Sequence, residues 1–487
     1  MKKQVFNPYL PSYEYIPDGE PRVFNGRLYI YGSHDRFNGD VYCANDYVCW
    51  SAPENDLSDW RYEGVIFRKT QDPRNPDGAH ALWAPDVCRG NDGKYYLYYC
   101  LDFLKEIGVA VADKPAGPYE FLDFVRYPNG DILGSRPDEI RQFDPGIFID
   151  DDGRIYLFSG NSPRYKQTPV DKDSLKMELE QDMVTVKAGP FHNLPIINDA
   201  DGTEYEAHPF FEASSVRKIN GKYYFIYSSC WMHELCWAVA DTPLGDYHFG
   251  GVLVSNADIG ANGNTEALNY RGNTHGSVAF VNGKWYVFYH RQTGTDEYSR
   301  QAMLEPVDVA LDKNGRLFIG KITYKDGEPV KSEPVEMTSQ GAHINGLDAR
   351  KIISAGYACH IYGGKKGGAN GGAGGAYIKP VYEKKDSISA PIVDITDKLS
   401  VGFRYLQFGT KSPSLVTINV TAKENFTVNL RIDDYKGKII SQIKVSKGDV
   451  KASAPVTSGV IGKRAVYFEF VSDSKEIIAD FDSFTFD

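Results

Sequence analysis

No stretch of this 487-residue sequence approaches 18 consecutive apolar residues, which argues against a transmembrane helix. Positive charge is also in short supply, since 54 Lys and Arg stand against 65 Asp and Glu and leave a formal net charge of −11. A chain this acidic is a poor general binder of nucleic acid or of an anionic membrane surface. We therefore expect neither a nucleic acid nor a membrane as partner.

Cysteine is scarce: the chain has seven, an odd number, and no two are spaced as Cys-x-x-Cys. This pattern argues against a zinc site or a disulfide framework and predicts free, buried thiols in a reducing compartment. The first eight residues, MKKQVFNP, contain two lysines but no apolar run behind them, unlike a signal peptide. The expected location is the cytoplasm.

Tryptophan is missing from the last third of the chain, because none follows Trp285. The charge balance changes in the same region: residues 331–487 hold 21 Lys and Arg and 17 Asp and Glu, whereas residues 1–330 are strongly acidic. A break in composition of this kind suggests a domain boundary. We predict two domains, 1–330 and 331–487.

Asn-Gly and Asp-Gly pairs recur in the first part, each followed by Lys or Arg and a run of aromatic and β-branched residues. They stand at Asn25-Gly26, Asp92-Gly93, Asp152-Gly153, Asn220-Gly221 and Asn282-Gly283. Such pairs between apolar runs predict β-hairpins with type I′ turns. The spacings of 67, 60, 68 and 62 residues leave room for four strands per unit, which is typical of a β-propeller.

The predicted fold class is all-β, with a five-bladed β-propeller followed by a β-sandwich, because five such units fill roughly 320 residues. A sixth pair, Asn314-Gly315, comes only 32 residues after the fifth and is interpreted as the closing half of the last unit. The alternative is an ordinary β-sandwich with coincidental turns, which the near-equal spacings disfavour.

An acidic residue or a histidine stands six to eight residues before each predicted turn: Asp18, Asp86, Asp144, Glu212 and His275. In a propeller the innermost strands line a central channel, so equivalent positions converge at one end of it. Taken singly, the aspartates fit simple turns and the histidine fits a core position. Glu212 lies between aromatic and small residues and is not a turn former. Their common position, six to eight residues before each predicted turn, favours one joint functional site.

A cluster of carboxylates suits the hydrolysis of an acetal. One carboxylic acid protonates the leaving oxygen, and one carboxylate activates water or attacks directly. Crowding of like charges raises the pKa of at least one member, which keeps it protonated near neutral pH. Nearby aromatic side chains such as Trp83 and Trp231 are candidates for stacking on sugar rings.

Residues 1–330 resemble glycoside hydrolase family 43, whose members are five-bladed propeller enzymes acting on arabinose- and xylose-containing glycans. The resemblance rests on the early Asp18, Trp83-Ala84-Pro85-Asp86, Phe143-Asp144-Pro145-Gly146-Ile147-Phe148, Phe211-Glu212-Ala213-Ser214-Ser215-Val216-Arg217-Lys218, His275-Gly276-Ser277 and Phe288-Tyr289-His290-Arg291. It implies that Asp18 is the general base, that Glu212 is the general acid, and that Asp144 orients Glu212 and raises its pKa. It also implies inversion, with base and acid about 6.5–9.5 Å apart.

The resemblance also implies a metal. His275 matches the histidine that sits beside a calcium ion in the channel of many members, so calcium is the expected cofactor and no organic cofactor is expected. Calcium prefers oxygen ligands, which makes a lone histidine an unusual site. Glu20 is a rival for the role of base, because Gly19-Glu20-Pro21 follows Asp18 where many members have Asp-Pro directly.

Four residues complete the predicted substrate-binding set. Arg291 is expected to contact the sugar or Glu212, and Trp83, Trp231 and Asp86 are expected to line the same site.

Residues 340–487 alternate apolar and polar positions, as in 416–420 and 426–432, which predicts a jelly-roll-like β-sandwich. Residues 401–405 and 477–486 resemble strands of family 6 carbohydrate-binding modules. Such modules often bind sugar on Trp, which this part lacks, so buttressing of the propeller is the alternative role. The glycine-rich segment 363–375 lacks the ending of a phosphate loop and predicts a mobile loop.

We therefore expect an exo-acting glycosidase that removes α-L-arabinofuranosyl groups from xylo- or arabino-oligosaccharides. β-D-Xylosidase activity in the same site is the nearest alternative, because the two sugars present similar geometry. A non-catalytic sugar-binding propeller and a protein-interaction scaffold are the alternatives from other classes, and the phase of the channel acids disfavours the scaffold. The sequence leaves the linkage, the chain length and the oligomeric state open.

Overall fold

The structure, a computed structural model, describes residues 6–168, 170–294, 296–364, 375–382 and 390–487. In these ranges the chain is all-β, and its helices are three 3-10 turns at Lys69–Gln71, Ala261–Gly263 and Ala355–Tyr357. The described part contains no helix that is long and apolar enough to cross a membrane. Most of the glycine-rich segment for which a mobile loop is predicted, residues 365–374, lies outside the described residues.

Five antiparallel sheets follow one another along the first part of the chain, with their strands in chain order. Sheet 1 consists of β1 (Glu20–Phe24), β2 (Arg27–Tyr31), β3 (Tyr47–Pro53) and β4 (Arg61–Phe67). Sheet 2 consists of β5 (Asp86–Arg89), β6 (Tyr95–Cys100), β7 (Ile107–Ala112) and β8 (Glu120–Phe124). Sheet 3 consists of β9 (Gly146–Ile149), β10 (Ile155–Gly160), β11 (Ser174–Leu179) and β12 (Val186–His192).

Two larger sheets complete this part. Sheet 4 consists of β13 (Phe210–Ile219), β14 (Lys222–Ser229), β15 (Glu234–Ala240) and β16 (His248–Ser255). Sheet 5 has five strands, β17 (Ser277–Val281), β18 (Lys284–Gln292), β19 (Arg300–Leu311), β20 (Leu317–Lys325) and β21 (Glu328–Glu333). The Asn314-Gly315 pair joins β19 to β20, so it belongs to the fifth sheet, as the spacing predicts.

All five predicted turns join the first strand of a sheet to its second strand, but they are of two kinds. At the three Asn-Gly pairs both residues have positive φ, as a type I′ turn requires. At the two Asp-Gly pairs only Gly93 and Gly153 have positive φ, and five-residue loops close with Gly90 N to Lys94 O and Asp150 N to Arg154 O hydrogen bonds. The type I′ prediction is therefore wrong for these two loops.

The first strands of the five sheets lie side by side: β1 contacts β5 and β17, β5 contacts β9, and β13 contacts β9 and β17. Arg22 on β1 reaches two neighbours. It donates to Asp86 on β5 at 3.0 and 2.5 Å and to the carbonyl oxygen of Ile147 on β9 at 3.0 Å. Three of the five sheets are thus joined through one side chain.

Arg217 on β13 makes the corresponding connections on the other side. Its guanidinium donates to Glu20 on β1 at 2.7 Å and to the carbonyl oxygen of Val278 on β17 at 2.9 Å. Glu20 and Asp86 are both almost fully buried, and breaking a buried ion pair typically costs about 3–5 kcal/mol. Together the two arginines connect the first strands of all five sheets.

Twelve further strands form the C-terminal part. In chain order they are β22 (Leu347–Asp348), β23 (Ile353–Ser354), β24 (His360–Tyr362), β25 (Tyr377–Ile378), β26 (Ile392–Ile395), β27 (Ser400–Gln407), β28 (Leu415–Ala422), β29 (Phe426–Ile432), β30 (Ile439–Val445), β31 (Lys451–Pro455), β32 (Lys463–Val471) and β33 (Ala479–Phe486). They form two six-stranded sheets, one around β27, β32 and β29 and the other around β26, β33 and β28. A single hydrophobic cluster, with Phe403, Phe468 and Phe484 among its members, contains residues of both sheets.

The two parts of the chain are joined by buried contacts. Phe6, from the start of the described chain, lies in the C-terminal core and stacks on Tyr357 at 4.3 Å between ring centroids. Arg291 on β18 donates to the carbonyl oxygens of Gly356 and Ala358. The composition break at residue 330 falls within β21, and the C-terminal strands begin at Leu347.

Candidate active site

A cavity of about 170 Å³ opens at the end of the five sheets where their first strands begin. Roughly 300–1,000 Å³ is usual for pockets that take drug-sized ligands, so this one suits a smaller group. Its walls are formed by Asp18, Tyr42, Cys43, Trp83, Ala84, Phe143, Asp144, Phe211, Glu212, Met232, Asn273, His275 and Arg300. The structure therefore brings together Asp18, Asp144, Glu212, His275 and Trp83, which the sequence analysis also places in one site.

The backbone is in an unusual conformation where the predicted catalytic residues stand. Asp18 and Asp144, each two residues before a first strand, have φ of 58° and 43°. Glu212 lies in β13 at an irregularity in the pairing with β14, next to Ala213 with φ of 71°. Non-glycine residues held at positive φ cluster at functional sites. These conformations aim the carboxyl groups into the cavity instead of along the strands.

Asp18 is held as a carboxylate. Arg300 donates to its two oxygens at 3.0 and 3.3 Å. Burial alone raises the pKa of Asp18, but the positive charges of Arg300 and His275 outweigh burial and hold this pKa below its ordinary value. The group is therefore ionised at neutral pH and suited to accept a proton.

His290 fixes the position of Asp18. Its Nδ1 accepts a hydrogen bond from the Asp18 backbone N at 3.2 Å, and its Nε2 lies 2.8 Å from the Asn273 carbonyl oxygen. Burial lowers the pKa of His290 to about 3, so the ring is neutral and carries its proton on Nε2.

The pKa of Glu212 is shifted in the opposite direction to that of Asp18. Burial, followed by the nearby negative charges of Asp144 and Asp18, raises its pKa to about 8. At neutral pH this carboxyl group is mostly protonated and can give up a proton. One cavity thus holds an ionised and a protonated carboxyl group.

Asp144 and His275 form a pair beside Glu212. His275 Nδ1 lies 3.4 Å from Asp144 Oδ2, and the same oxygen accepts a hydrogen bond from the Ala213 backbone N at 3.1 Å. Burial disfavours the charged imidazole, yet Asp144 and the other carboxylates raise the pKa of His275 to about 9. Asp144 therefore interacts with a cation on one side and with the peptide group that follows Glu212 on the other.

Arg300 is the main functional residue that the sequence analysis misses. It is almost fully buried and also binds Asp35 through its Nε at 2.8 Å and its Nη2 at 2.9 Å. Its guanidinium lies 4.8 Å from the centroid of the Tyr42 ring. The residue begins β19 and is not on a first strand, so the repeat phase gives no signal for it.

Asp86 and Arg291 do not reach the cavity, contrary to expectation. Asp86 is fully buried and its oxygens accept from Arg22 and from the backbone N of Ile147 and Val87. It is the first residue of β5, whereas Asp18 and Asp144 each stand two residues before the strand that follows them. Arg291 faces the C-terminal part, because successive residues of a strand point to opposite sides and His290 faces Asp18.

The two predicted tryptophans lie at different depths. Trp83 is half-buried in the cavity wall, edge-on to Phe143 with 4.9 Å between centroids. Trp231 is 52% exposed and directly precedes the wall residue Met232, so it stands at the mouth of the cavity.

The residues around His275 do not match a calcium site. His275 Nε2 lies 4.0 Å from Glu20 Oε1, a buried oxygen that has no hydrogen-bond partner among the described residues. The other oxygen of Glu20 is taken by Arg217 and Ser215. Calcium takes six to eight oxygen ligands, whereas this group offers one imidazole and one free oxygen.

Comparison with known proteins gives a consistent result. The family described as glycosyl hydrolases family 43 matches residues 17–314. A xylosidase/arabinosidase of Thermoclostridium stercorarium is 42% identical over 96% of this chain and 97% of its own length. A xylosidase/arabinosidase of Bacteroides ovatus is 31% identical over 64% of this chain and 96% of its own length.

A solved structure is similar over the first part. It is a GH43 β-xylosidase/α-arabinofuranosidase from a compost microbial metagenome, described as a complex with xylotriose in a calcium-free form. It is 25% identical, with a TM-score of 0.50, over 65% of this chain and 97% of the other.

Proposed function

The chain belongs to family 43 of the glycosyl hydrolases and is a glycosidase, and from this premise we propose that it is an exo-acting, inverting enzyme that removes α-L-arabinofuranosyl groups from xylo- or arabino-oligosaccharides. The observation that carries the proposal is the pair of opposed pKa shifts in one cavity, lowered at Asp18 and raised to about 8 at Glu212. An acid and a base on one acetal need this combination of protonation states.

We assign the two proton transfers to these residues. As the oxygen of a water molecule bonds to the anomeric carbon, the Asp18 carboxylate accepts a proton from that water. As the bond from the anomeric carbon to the glycosidic oxygen breaks, the Glu212 carboxyl group gives its proton to the leaving oxygen. Asp18 ends protonated and Glu212 ionised, and exchange of protons with solvent restores the starting state.

The other cavity residues act through these two. Arg300 keeps Asp18 ionised, and His290 holds the backbone of Asp18 in place. Both are positioning residues in our scheme. Asp144 raises the pKa of Glu212 by its charge; burial raises the pKa of Asp144 itself, and His275 opposes that rise. Glu20 is bound by Arg217 and is not in the cavity wall, which disfavours it as the base.

An exo mode of action fits the size of the cavity. A volume of about 170 Å³ suits one terminal sugar residue better than a stretch of chain. Substrates are expected to be small pentose-containing oligosaccharides.

We also propose how the sheets are arranged in the two domains. We infer that the five sheets are the blades of one closed propeller spanning residues 1–330 and that the two C-terminal sheets form a β-sandwich in 331–487. Mutual contact of the first strands and the shared C-terminal core support this arrangement.

All seven cysteines are free and buried, which favours the cytoplasm, a location that cell fractionation tests.

Two variants test the assignment of acid and base. Glu212→Ala is expected to lose activity on oligosaccharides by about 10²–10⁴-fold and to keep more of it on 4-nitrophenyl glycosides, whose leaving group needs no proton. Asp18→Ala is expected to lose both activities equally. NMR of the first product formed by the wild type is expected to show the inverted anomer, and a retained anomer contradicts the scheme.

The second candidate function is β-D-xylosidase activity in the same cavity, because the similar proteins carry names that include both activities. Rates on the 4-nitrophenyl arabinofuranoside and xyloside separate the two. A xyloside rate tenfold higher would make xylosidase the main activity. The alternative of a non-catalytic sugar-binding propeller is not supported, since the family consists of hydrolases.

Calcium is expected to be dispensable, because Arg22 and Arg217 already supply positive charge beside Glu20 and Asp86. Dialysis against a chelator should leave kcat and KM unchanged within error. Titration of Ca²⁺ into the dialysed protein by calorimetry should give no heat of binding. Loss of activity on chelation that added Ca²⁺ restores would show that solvent molecules complete a site at His275.

A further inference from the structure

We propose that Phe103, Tyr165 and Trp231 form a track around the cavity mouth that binds the sugar chain beyond the scissile bond. The inference rests on the proposed function, which places the terminal sugar in the cavity. The part of the substrate that leaves must then lie on the surface outside it.

The three aromatic residues occupy equivalent positions in successive sheets. Each lies in the loop that follows the second strand: Phe103 after β6, Tyr165 after β10 and Trp231 after β14. Because first and second strands are antiparallel, these loops lie at the end where the first strands begin, which is the end that holds the cavity. Sheets 2, 3 and 4 thus each present one aromatic side chain there.

Phe103 and Tyr165 are the two most exposed large hydrophobic side chains among the described residues, and Trp231 is about half exposed. Phe103 is 82% exposed, Tyr165 73% and Trp231 52%. Apolar surface left in water lacks the stabilisation that burial would give it. Phe103 also has a φ of 60°, a conformation that an aromatic residue rarely adopts. Three exposed aromatic rings around one mouth, one of them on a strained backbone, point to a surface kept for a ligand.

Each of these loops is attached to the cavity wall. Lys105 O accepts a hydrogen bond from the backbone N of Gln142, the neighbour of wall residue Phe143, at 2.9 Å. Ser162 N donates to the carbonyl oxygen of wall residue Phe211 at 2.7 Å. The backbones of these two loops are therefore joined to the segments that form the cavity wall.

Trp231 is further fixed by its own side chain. Its Nε1 donates to the carbonyl oxygen of Ala207 at 2.6 Å, and the next residue, Met232, is part of the cavity wall. A ring anchored in this way loses little conformational freedom when a sugar stacks on it.

The opposite side of the mouth is covered by the C-terminal part. Tyr377 contacts Phe37, in the loop after β2, at 6.3 Å between centroids. Ile378 N donates to the carbonyl oxygen of Thr293, in the loop after β18, at 2.9 Å. Among the described residues, the C-terminal part thus contacts the loops of sheets 1 and 5, and we infer that a chain leaving the cavity runs over sheets 2, 3 and 4.

The chemical class of the ligand follows from the surface. Aromatic rings bind the apolar faces of neutral sugar rings, and they discriminate little between linkages. We assign the track to the pentose-based chain of the proposed substrate, several residues long, from which the terminal group in the cavity branches or continues.

The test compares a long substrate with a short one. Phe103→Ala, Tyr165→Ala and Trp231→Ala are each expected to raise KM for an arabinosylated xylo-oligosaccharide about 3- to 10-fold. Phe103→Ala and Tyr165→Ala should leave kcat and KM unchanged for methyl α-L-arabinofuranoside, whose leaving group is too small to extend beyond the cavity. Phe280→Ala is the matched control, because Phe280 is 53% exposed but lies beside the Asn282-Gly283 turn at the other end of its sheet.

The outcomes are distinguishable. A rise in KM confined to the oligosaccharide and to the three track variants supports the inference, and equal KM values for control and track variants overturn it. If the wild type hydrolyses no glycoside at all, the proposed function fails. Calorimetric titration of xylohexaose into the wild type and the Trp231→Ala variant then decides the track by affinity alone, and equal affinities reject it.

Discussion

At the scale of single residues, Arg300 sets the charge in the cavity by binding Asp18 on one side and Asp35 on the other. Its positive charge favours ionised Asp18 and at the same time limits the rise in the pKa of Glu212. The working pH range of the enzyme therefore depends on this one side chain.

The pH profile of the wild type follows from the two carboxyl groups. Activity requires Asp18 ionised and Glu212 protonated, so kcat/KM should fall as pH rises through about 8, where Glu212 loses its proton. On the acid side it should fall only below the ordinary aspartate pKa of about 3.9, because the pKa of Asp18 is lowered. An alkaline limb near the ordinary glutamate range would contradict the assignment of Glu212.

Substitution of Arg300 should move this profile. In Arg300→Met the acid limb should shift to higher pH, since the charge that lowers the pKa of Asp18 is gone, and Arg300→Lys should shift it less. Arg316→Met, which removes an exposed arginine beside a turn, is the control. Thermal melts show whether each variant is folded, and an acid limb that stays in place in folded Arg300→Met would refute the role of Arg300.

The sequence indicates the proposed acid and base and also Asp144, which is expected to tune the acid, but it does not indicate Arg300. Asp18, Asp144, Glu212 and His275 share a phase relative to the turns, which a repeat makes visible. Arg300 meets Asp18 across 282 positions of sequence, and no local pattern reports such a contact. Arg291 illustrates the reverse error, because a motif gives its position in the chain but not the side of the strand it faces.

At the scale of elements, three Asn-Gly and two Asp-Gly pairs mark the five hairpins. The sequence predicts where they are because few residues other than Asn and Gly adopt positive φ at low cost. It does not predict the two longer Asp-Gly loops, where hydrogen bonds from Gly90 and Asp150 close the loop before the pair is reached.

A glycine substitution tests this account of the turns. Gly283 has a φ of 80°, and no heavy atom lies within 4 Å of an added Cβ, so Gly283→Ala introduces backbone strain without a clash. The free energy of unfolding should fall by about 1 kcal/mol in urea denaturation. Lys284→Ala, at the next and exposed position, should change it by less than roughly 0.5 kcal/mol. Equal effects of the two substitutions would show that φ does not limit this turn.

At the scale of the whole molecule, the C-terminal part is bound to the first part through buried groups. Arg404 on β27 binds Asp258 and Glu336. Thr338 donates through its backbone N and its hydroxyl group to Glu305 on β19, whose pKa is well above the ordinary range because of burial. Composition predicts two domains, but these contacts join residues far apart in sequence and leave no trace in it.

Truncation tests how far the stability of the first part depends on its contacts with the C-terminal part. A chain that ends at Glu333 leaves Arg291, Asp258 and Phe6 without their partners and should lose cooperative thermal unfolding or aggregate. Phe6→Ala in the full chain, which opens a gap in the C-terminal core, should lower the free energy of unfolding by about 3–5 kcal/mol. A truncated chain that melts cooperatively at the temperature of the full chain would show that the first part is independent.

The alternation of His290 and Arg291 has a consequence for protein engineering. One face of this strand positions Asp18, the proposed base, while the other binds the C-terminal part, so the two neighbours connect the C-terminal part to the cavity. Grafting a foreign C-terminal module onto this propeller by cutting in the linker would discard the carbonyl groups that Arg291 needs. The foreign module of a working chimera must supply hydrogen-bond acceptors for Arg291. The N-terminal segment with Phe6 has to be exchanged together with the module.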